Sequence, residues 1–272
     1  MREGDRQVIK PSQQRENGAA GDAYWASLPY SALSKLPEEQ VRFLITATRV
    51  ANDVLLLQRL IIACENNLKT ADKAERQAGT CAWFTAIALL AGKLWEGFGA
   101  VSKFARLWKS ESGIDLGTDG LTARSELNRI FAKGSPLEMV RNKSAFHYDG
   151  EEVLDAEVAA FRDLTQTAEE MKWILGREIA NTVYLFSAAS NGFATLDAAY
   201  PGKSRQEQMD ALYHDVVDAA DVMGTFLQFA FAALITQSEI RADNQIKLEE
   251  IEMSDRPQLA ILSFPMLTSF GN

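Results

Sequence analysis

The chain has 272 residues, a formal net charge of −9, and 47% hydrophobic residues. That is enough apolar material for a substantial core in one large domain or two small ones, while the acidic balance excludes a general nucleic-acid coat protein. Two cysteines cannot make a disulfide framework, which fits a reducing cytoplasm, and with two histidines no metal site is expected.

In chain order, residues 1–23 are polar and rich in Gly, Gln and charge, so a flexible tail is expected. They carry no apolar core of a secretion signal. Residues 24–36 form a lead-in whose Tyr24, Trp25 and Tyr30 suit packing on a bundle. The first long helix starts near Pro37-Glu38-Glu39, with carboxylates at its positive end. Its stripe, Phe43, Ala47, Val50, Val54, Leu57, Ile61, Cys64 and Leu68, alternates steps of four and three, as a bundle seam does. A second helix is expected over about residues 70–109, with the stripe Ile87, Ala91, Leu94, Phe98, Val101, Ala105 and Trp108. Matched seams joined by a polar turn between positions 66 and 79 predict an antiparallel hairpin. Cys64 and Cys81 fall within these apolar patterns and read as buried small hydrophobes. The apolar run at 81–91 is too short to span a bilayer, so no membrane association is expected.

Residues 110–120 hold three glycines and turn formers and predict a break. A helix should follow from Leu121 or Thr122 to Lys133, closed by Gly134, and another over about 151–164. Residues 171–200 are ambiguous: helix is expected through Phe186, against a short hairpin around Asn191-Gly192. A last helix runs over about 204–241, burying Met209, Leu212, Tyr213, Val216, Val217, Ala220, Met223 and Leu227. Phe226, Phe229 and Phe231 make its far end apolar nearly all round, which suits deep burial or a subunit contact. His214 lies between Asp210 and Asp218 and reads as an exposed histidine, not a ligand. Residues 242–272 carry two short apolar stretches and read as an arm. The organisation is therefore a tail at 1–23, an all-α helical domain at 24–241 and an arm at 242–272.

One stretch carries candidate chemistry. At residues 135–150, SPLEMVRNKSAFHYDG, Ser135 and Glu138 form a capping box and Pro136 takes the first helical position. Inside lies Arg141-Asn142-Lys143-Ser144-Ala145-Phe146-His147. The region is locally basic: Arg124, Arg129, Lys133, Arg141 and Lys143 against Glu126 and Glu138 give +3 over 121–147, while 151–170 carries −6.

The spacing of Arg141-Asn142 and His147 resembles the motif of the HEPN superfamily, an Arg and a His with four to six residues between them, often with Asn, Asp or His directly after the Arg. The match covers seven residues in a compatible helical background. The resemblance implies a metal-independent endoribonuclease with no cofactor, often a toxin or phage-defence effector, working as a homodimer and countered by a neutralising or regulatory protein. In such a reaction the RNA 2′-hydroxyl attacks the neighbouring phosphate. His147 would move protons near neutral pH. Arg141 would hold the phosphorane oxygens with a forked donor, and Asn142 would orient phosphate or imidazole. Lys143, Arg124, Arg129 and Lys133 would contact the RNA backbone.

A different reading stays open. At about 100° per residue, Arg141 and His147 stand roughly 120° apart on one helix. Leu137, Val140, Ser144 and His147 also follow a stripe that would suit a core histidine. On that reading the scaffold is a helical interaction or regulatory protein without catalysis.

Overall fold

The computed structural model describes residues 24–27, 36–108, 114–142, 155, 158–159, 162, 185–237 and 247–250. The fold is all-α. Helices α1 (Glu38–Leu68), α2 (Lys73–Ser102), α3 (Gly117–Ile130), α4 (Pro136–Val140), α5 (Leu185–Ala199) and α6 (Arg205–Gln237) carry the core. Positions 155, 158–159 and 162 are helical as well. The lead-in differs from expectation: β1 (Tyr24–Ser27) pairs antiparallel with β2 (Lys247–Glu250), Tyr24 opposite Glu250 and Ser27 opposite Lys247. This short ribbon ties the lead-in to the start of the C-terminal arm.

Helices α1 and α2 are joined by residues 69–72. Asp72 caps α2 by accepting from the Glu75 N–H at 2.8 Å, satisfying one of the unpaired donors at a helix start. The contacts between the two helices run in opposite directions along them. Glu39 pairs with Arg106 beyond the end of α2, Phe43 meets Phe104, Val50 meets Gly97, and Asp53 meets Lys93 at 3.3 Å. Along this seam Phe43, Ala47, Val50, Val54, Ile61 and Cys64 are buried, facing Ile87, Ala91, Leu94 and Val101.

Gly97 sets the closeness of the contact. A β-carbon there would sit 2.6 Å from Val50 Cγ1, whereas at Gly99 it would meet nothing within 4 Å. Gly97→Ala is therefore expected to lower unfolding free energy by about 1–3 kcal/mol through overpacking. Gly99→Ala should raise it by up to about 1 kcal/mol through helix propensity alone. Urea denaturation of the two variants checks the pair, and equal effects would refute the packing role of Gly97.

Helix α2 ends at Ser102, earlier than the stripe suggested. The chain switches to tighter bonds, with the Phe104 N–H donating to Val101 O and the Leu107 N–H to Phe104 O, and a 3₁₀ turn follows at Ala105–Trp108. That turn brings the rings of Phe104 and Trp108 edge-on to Phe43, at 5.7 and 5.1 Å. Helix α3 begins at Gly117, four residues before Leu121, because the Asp115 carboxylate accepts from the Gly117 N–H at 2.9 Å. Gly134, at φ +81°, closes the segment between α3 and α4, a conformation that glycine adopts at no steric cost.

No hairpin forms at Asn191-Gly192; both lie inside α5, which continues past Phe186 to Ala199. Gly192 is buried, and a β-carbon there would stand 3.4 Å from the Phe84 ring, so its smallness serves helix packing instead of a turn. The corner into α6 is tightly wired. Ser204 and Glu207 cap α6 reciprocally. Gln208, 1% exposed, donates to Asp197 Oδ1 at 3.0 Å and Tyr200 O at 3.1 Å, and accepts from Arg205 at 2.8 Å. Burial pushes the Asp197 carboxyl up, but hydrogen bonds from Arg205 and Gln208 outweigh it and leave it below the usual range. On α6, Leu212, Val216, Ala220, Met223 and Leu227 are buried, while Met209, Tyr213 and Val217 are half-buried. At the far end deep burial holds for Phe226 but not for Phe231, which is 43% exposed.

Candidate functional site

Helix α4 leads directly into Arg141 and Asn142, the described part of the motif. Ser135 caps the helix, accepting from the Glu138 N–H at 3.4 Å, with Pro136 at the first helical position. The reciprocal half of the expected box differs. The Glu138 carboxylate accepts from the Gly134 N–H, one residue earlier than expected, because the Ser135 N–H already donates to Ala132 O. Leu137 and Val140 are buried and anchor the helix, which widens into a π-type turn at Arg141–Asn142. A widened turn is rare and recurs at functional sites.

Arg141 is half-buried and Asn142 exposed. Arg141 Nη1 donates to Asn142 Oδ1 at 2.9 Å, and Arg141 Nε is buried without a hydrogen-bond partner among the described residues. The bond occupies the amide oxygen and leaves the Asn142 amide N–H groups, beside the guanidinium edge, as a cluster of donors with one positive charge. Such a cluster is chemically suited to phosphate oxygens. Lys143 and His147 lie outside the described residues, as do 143–150 altogether.

The other basic candidates divide between two places. Arg129 and Lys133 line a cleft of about 510 Å³ between the end of α3, the start of α4 and the middle of α6. Asp215, Asp218, Asp221 and Glu126 line the same cleft, so four carboxylates oppose two cations. Arg129 is ion-paired with Glu126, whose hydrogen bond holds the guanidinium in its charged form. Counted over these side chains, the wall carries a net negative charge. Arg124 stands elsewhere, its guanidinium 5.7 Å from the Trp108 ring centroid, and burial lowers its pKa.

The acidic wall has a titratable link to the core. Tyr200, 6% exposed, donates its hydroxyl to Asp215 Oδ2 at 2.8 Å. Burial first, then the hydrogen bond and charge of Asp215, push the Tyr200 pKa up from its ordinary value near 10. A raised pKa in the folded state means stability that is present below pH 10 and is lost as pH rises above it, because the unfolded chain then gives up the proton first. Unfolding free energy should therefore decline above about pH 10. Tyr200→Phe should flatten that decline in urea titrations, and an unchanged slope would refute the assignment.

Among the described residues no group of three metal-ligating side chains comes together. His214 is exposed beside Tyr213. Cys64 is buried as expected, but Cys81 is only half-buried; burial raises both thiol pKa values, which works against thiolate chemistry.

A second concave feature escaped the reading of the sequence. An open groove of about 570 Å³ runs between α1 and α6, floored by Ala47, Ala51, Ala220 and Gly224 and flanked by Leu55 and Phe231. Ile45, Leu55, Leu56 and Ile62 are half or more exposed on α1. The signal was present as a second stripe on α1, Leu44, Thr48, Ala51, Leu55, Gln58 and Ile62, again in steps of four and three. Helix α2 and the segment Arg205–Thr236 are long and apolar enough to cross a membrane by length and composition, and half of each apolar window is buried within the fold.

No protein-family model, curated protein or solved structure matches the chain. Fold and geometry together define a class: an all-α protein with an Arg–Asn donor pair at the end of a capped helix, and an open apolar groove between two long helices.

Proposed function

We propose that the protein is a metal-independent endoribonuclease of the HEPN type, with Arg141 as electrostatic clamp, Asn142 as orienter and His147 as the proton-transferring group. The observation that supports this most is the Arg141–Asn142 hydrogen bond, which combines guanidinium and amide donors on one exposed edge. Lys143, the next residue in the sequence, would contact the RNA backbone. Arg129 and Lys133 share their cleft with four carboxylates, which weakens the support for them as RNA contacts. On this reading the protein is a cytoplasmic homodimer acting as a toxin or phage-defence effector, restrained by a neutralising partner. The test is cleavage of a mixed RNA pool in EDTA by the parent and by His147→Ala, both confirmed folded. Activity should fall by about 10²–10⁴-fold in the variant, and products should carry 2′,3′-cyclic phosphate ends. Equal activity in both would refute the assignment.

A second reading is a helical interaction or regulatory protein, favoured by the open groove with its exposed Leu55 and Phe231 and by Ile45, Leu56 and Ile62 exposed elsewhere on α1. It predicts no RNA cleavage by the parent.

A further inference from the structure

The wall where α2, the 3₁₀ turn, α3 and α6 meet encloses a cavity of about 180 Å³. Its polar lining is Ser102, Trp108, Arg124 and Asn128, and its apolar walls include Phe98 and Phe226. Among the described residues no carboxylate side chain lines it, in a chain of net charge −9. Two groups there lack what their chemistry demands. Trp108 Nε1 is a buried donor with no hydrogen-bond partner among the described residues. Arg124 is partly desolvated above the Trp108 ring, with no carboxylate beside it among the described residues. A buried donor without a partner is costly, and a guanidinium taken from water seeks an anion. The two lie together because the 3₁₀ turn brings Trp108 against α3, where Arg124 and Asn128 stand one helical turn apart.

We propose that this cavity binds a small organic carboxylate with a short apolar body, its two oxygens shared between the Arg124 fork and the Trp108 indole N–H. The Ser102 hydroxyl and Asn128 amide complete the polar side, and Phe98 and Phe226 receive the carbon body. The apolar walls favour an anion that carries a carbon body over inorganic phosphate, which has none to set against Phe98 and Phe226. The site is separate from the Arg141–Asn142 edge and does not depend on RNA cleavage.

The test follows the Trp108 indole N–H resonance in the ¹⁵N-labelled full-length protein, assigned through Trp108→Phe, at constant ionic strength. Isobutyrate should produce a saturable downfield shift, and isobutyramide none. Arg124→Gln should weaken apparent affinity at least about tenfold, and Arg124→Lys, which keeps the charge without the fork, should fall between. Arg42→Gln, on the exposed outer turn of α1, should bind as the parent does. Circular dichroism confirms folding of each variant. A missing shift, an equal response to isobutyramide, preference for inorganic phosphate, or full binding by folded Arg124→Gln or Arg124→Lys would overturn the proposal.

Discussion

Arg141→Ala is expected to lower RNA cleavage by about 10²–10³-fold, the loss seen when a preorganised donor to a developing oxyanion is removed. Charge accumulates on the phosphorane oxygens only as the 2′-hydroxyl attacks, so the loss should appear in kcat more than in KM. Arg141→Lys separates charge from shape. A lysine keeps one positive charge but not the fork, and it cannot hold Asn142 Oδ1 with one N–H while offering others in the same plane. It should recover only part of the rate. The substitution also removes a half-buried side chain at the end of α4, so helicity and thermal stability must be compared with the parent. A folded Arg141→Ala that cleaves RNA at the parent rate would remove the clamp from the mechanism, and a matching loss in Asn142→Ala would tie the amide to the same step.

The largest stability effect is expected at Phe43. Its ring is 1% exposed and meets Phe104 and Trp108 edge-on, at interplanar angles of 68° and 74°. Removing it takes away buried apolar area and two aromatic contacts and leaves a void beside the turn that follows α2. Phe43→Ala should cost about 3–5 kcal/mol, a large part of the roughly 5–15 kcal/mol that holds a typical domain. Phe43→Leu, which refills much of the volume, should cost about 1.5 kcal/mol or less. Urea midpoints at constant m-value measure both. A loss under about 1 kcal/mol in Phe43→Ala would show that the cluster is not the keystone of this end of the bundle. Because Phe43 supports Trp108, the indole N–H resonance should also shift in Phe43→Ala.

Much of the helical framework was legible in the residues. The stripes from Phe43 to Leu68 and from Ile87 to Trp108 are buried or half-buried throughout, because burial on one helix repeats with the helix's own period. Capping chemistry is equally local: Ser135 does accept from the Glu138 N–H. Where local signals were read too simply, packing decided otherwise. Asn191-Gly192 looks like a turn pair in isolation, but Gly192 sits against the Phe84 ring inside α5. The strand at Tyr24–Ser27 depends on Lys247–Glu250, more than two hundred residues away, so no local pattern announces it.

The candidate site divides in the same way. The sequence by itself determined the helical class, the two seams and the order Arg141-Asn142 to His147, since these are properties of neighbours along the chain. Arg124, Arg129 and Lys133 count together in a locally basic stretch of sequence, but only tertiary structure could show them divided. Helix α6 lays Asp215, Asp218 and Asp221 beside Arg129 and Lys133, while the 3₁₀ turn carries Trp108 under Arg124. Charge counted along a chain is one-dimensional. The field at a surface is the sum over whichever helices cross there, and those crossings are set by shape-matched packing between segments far apart in sequence.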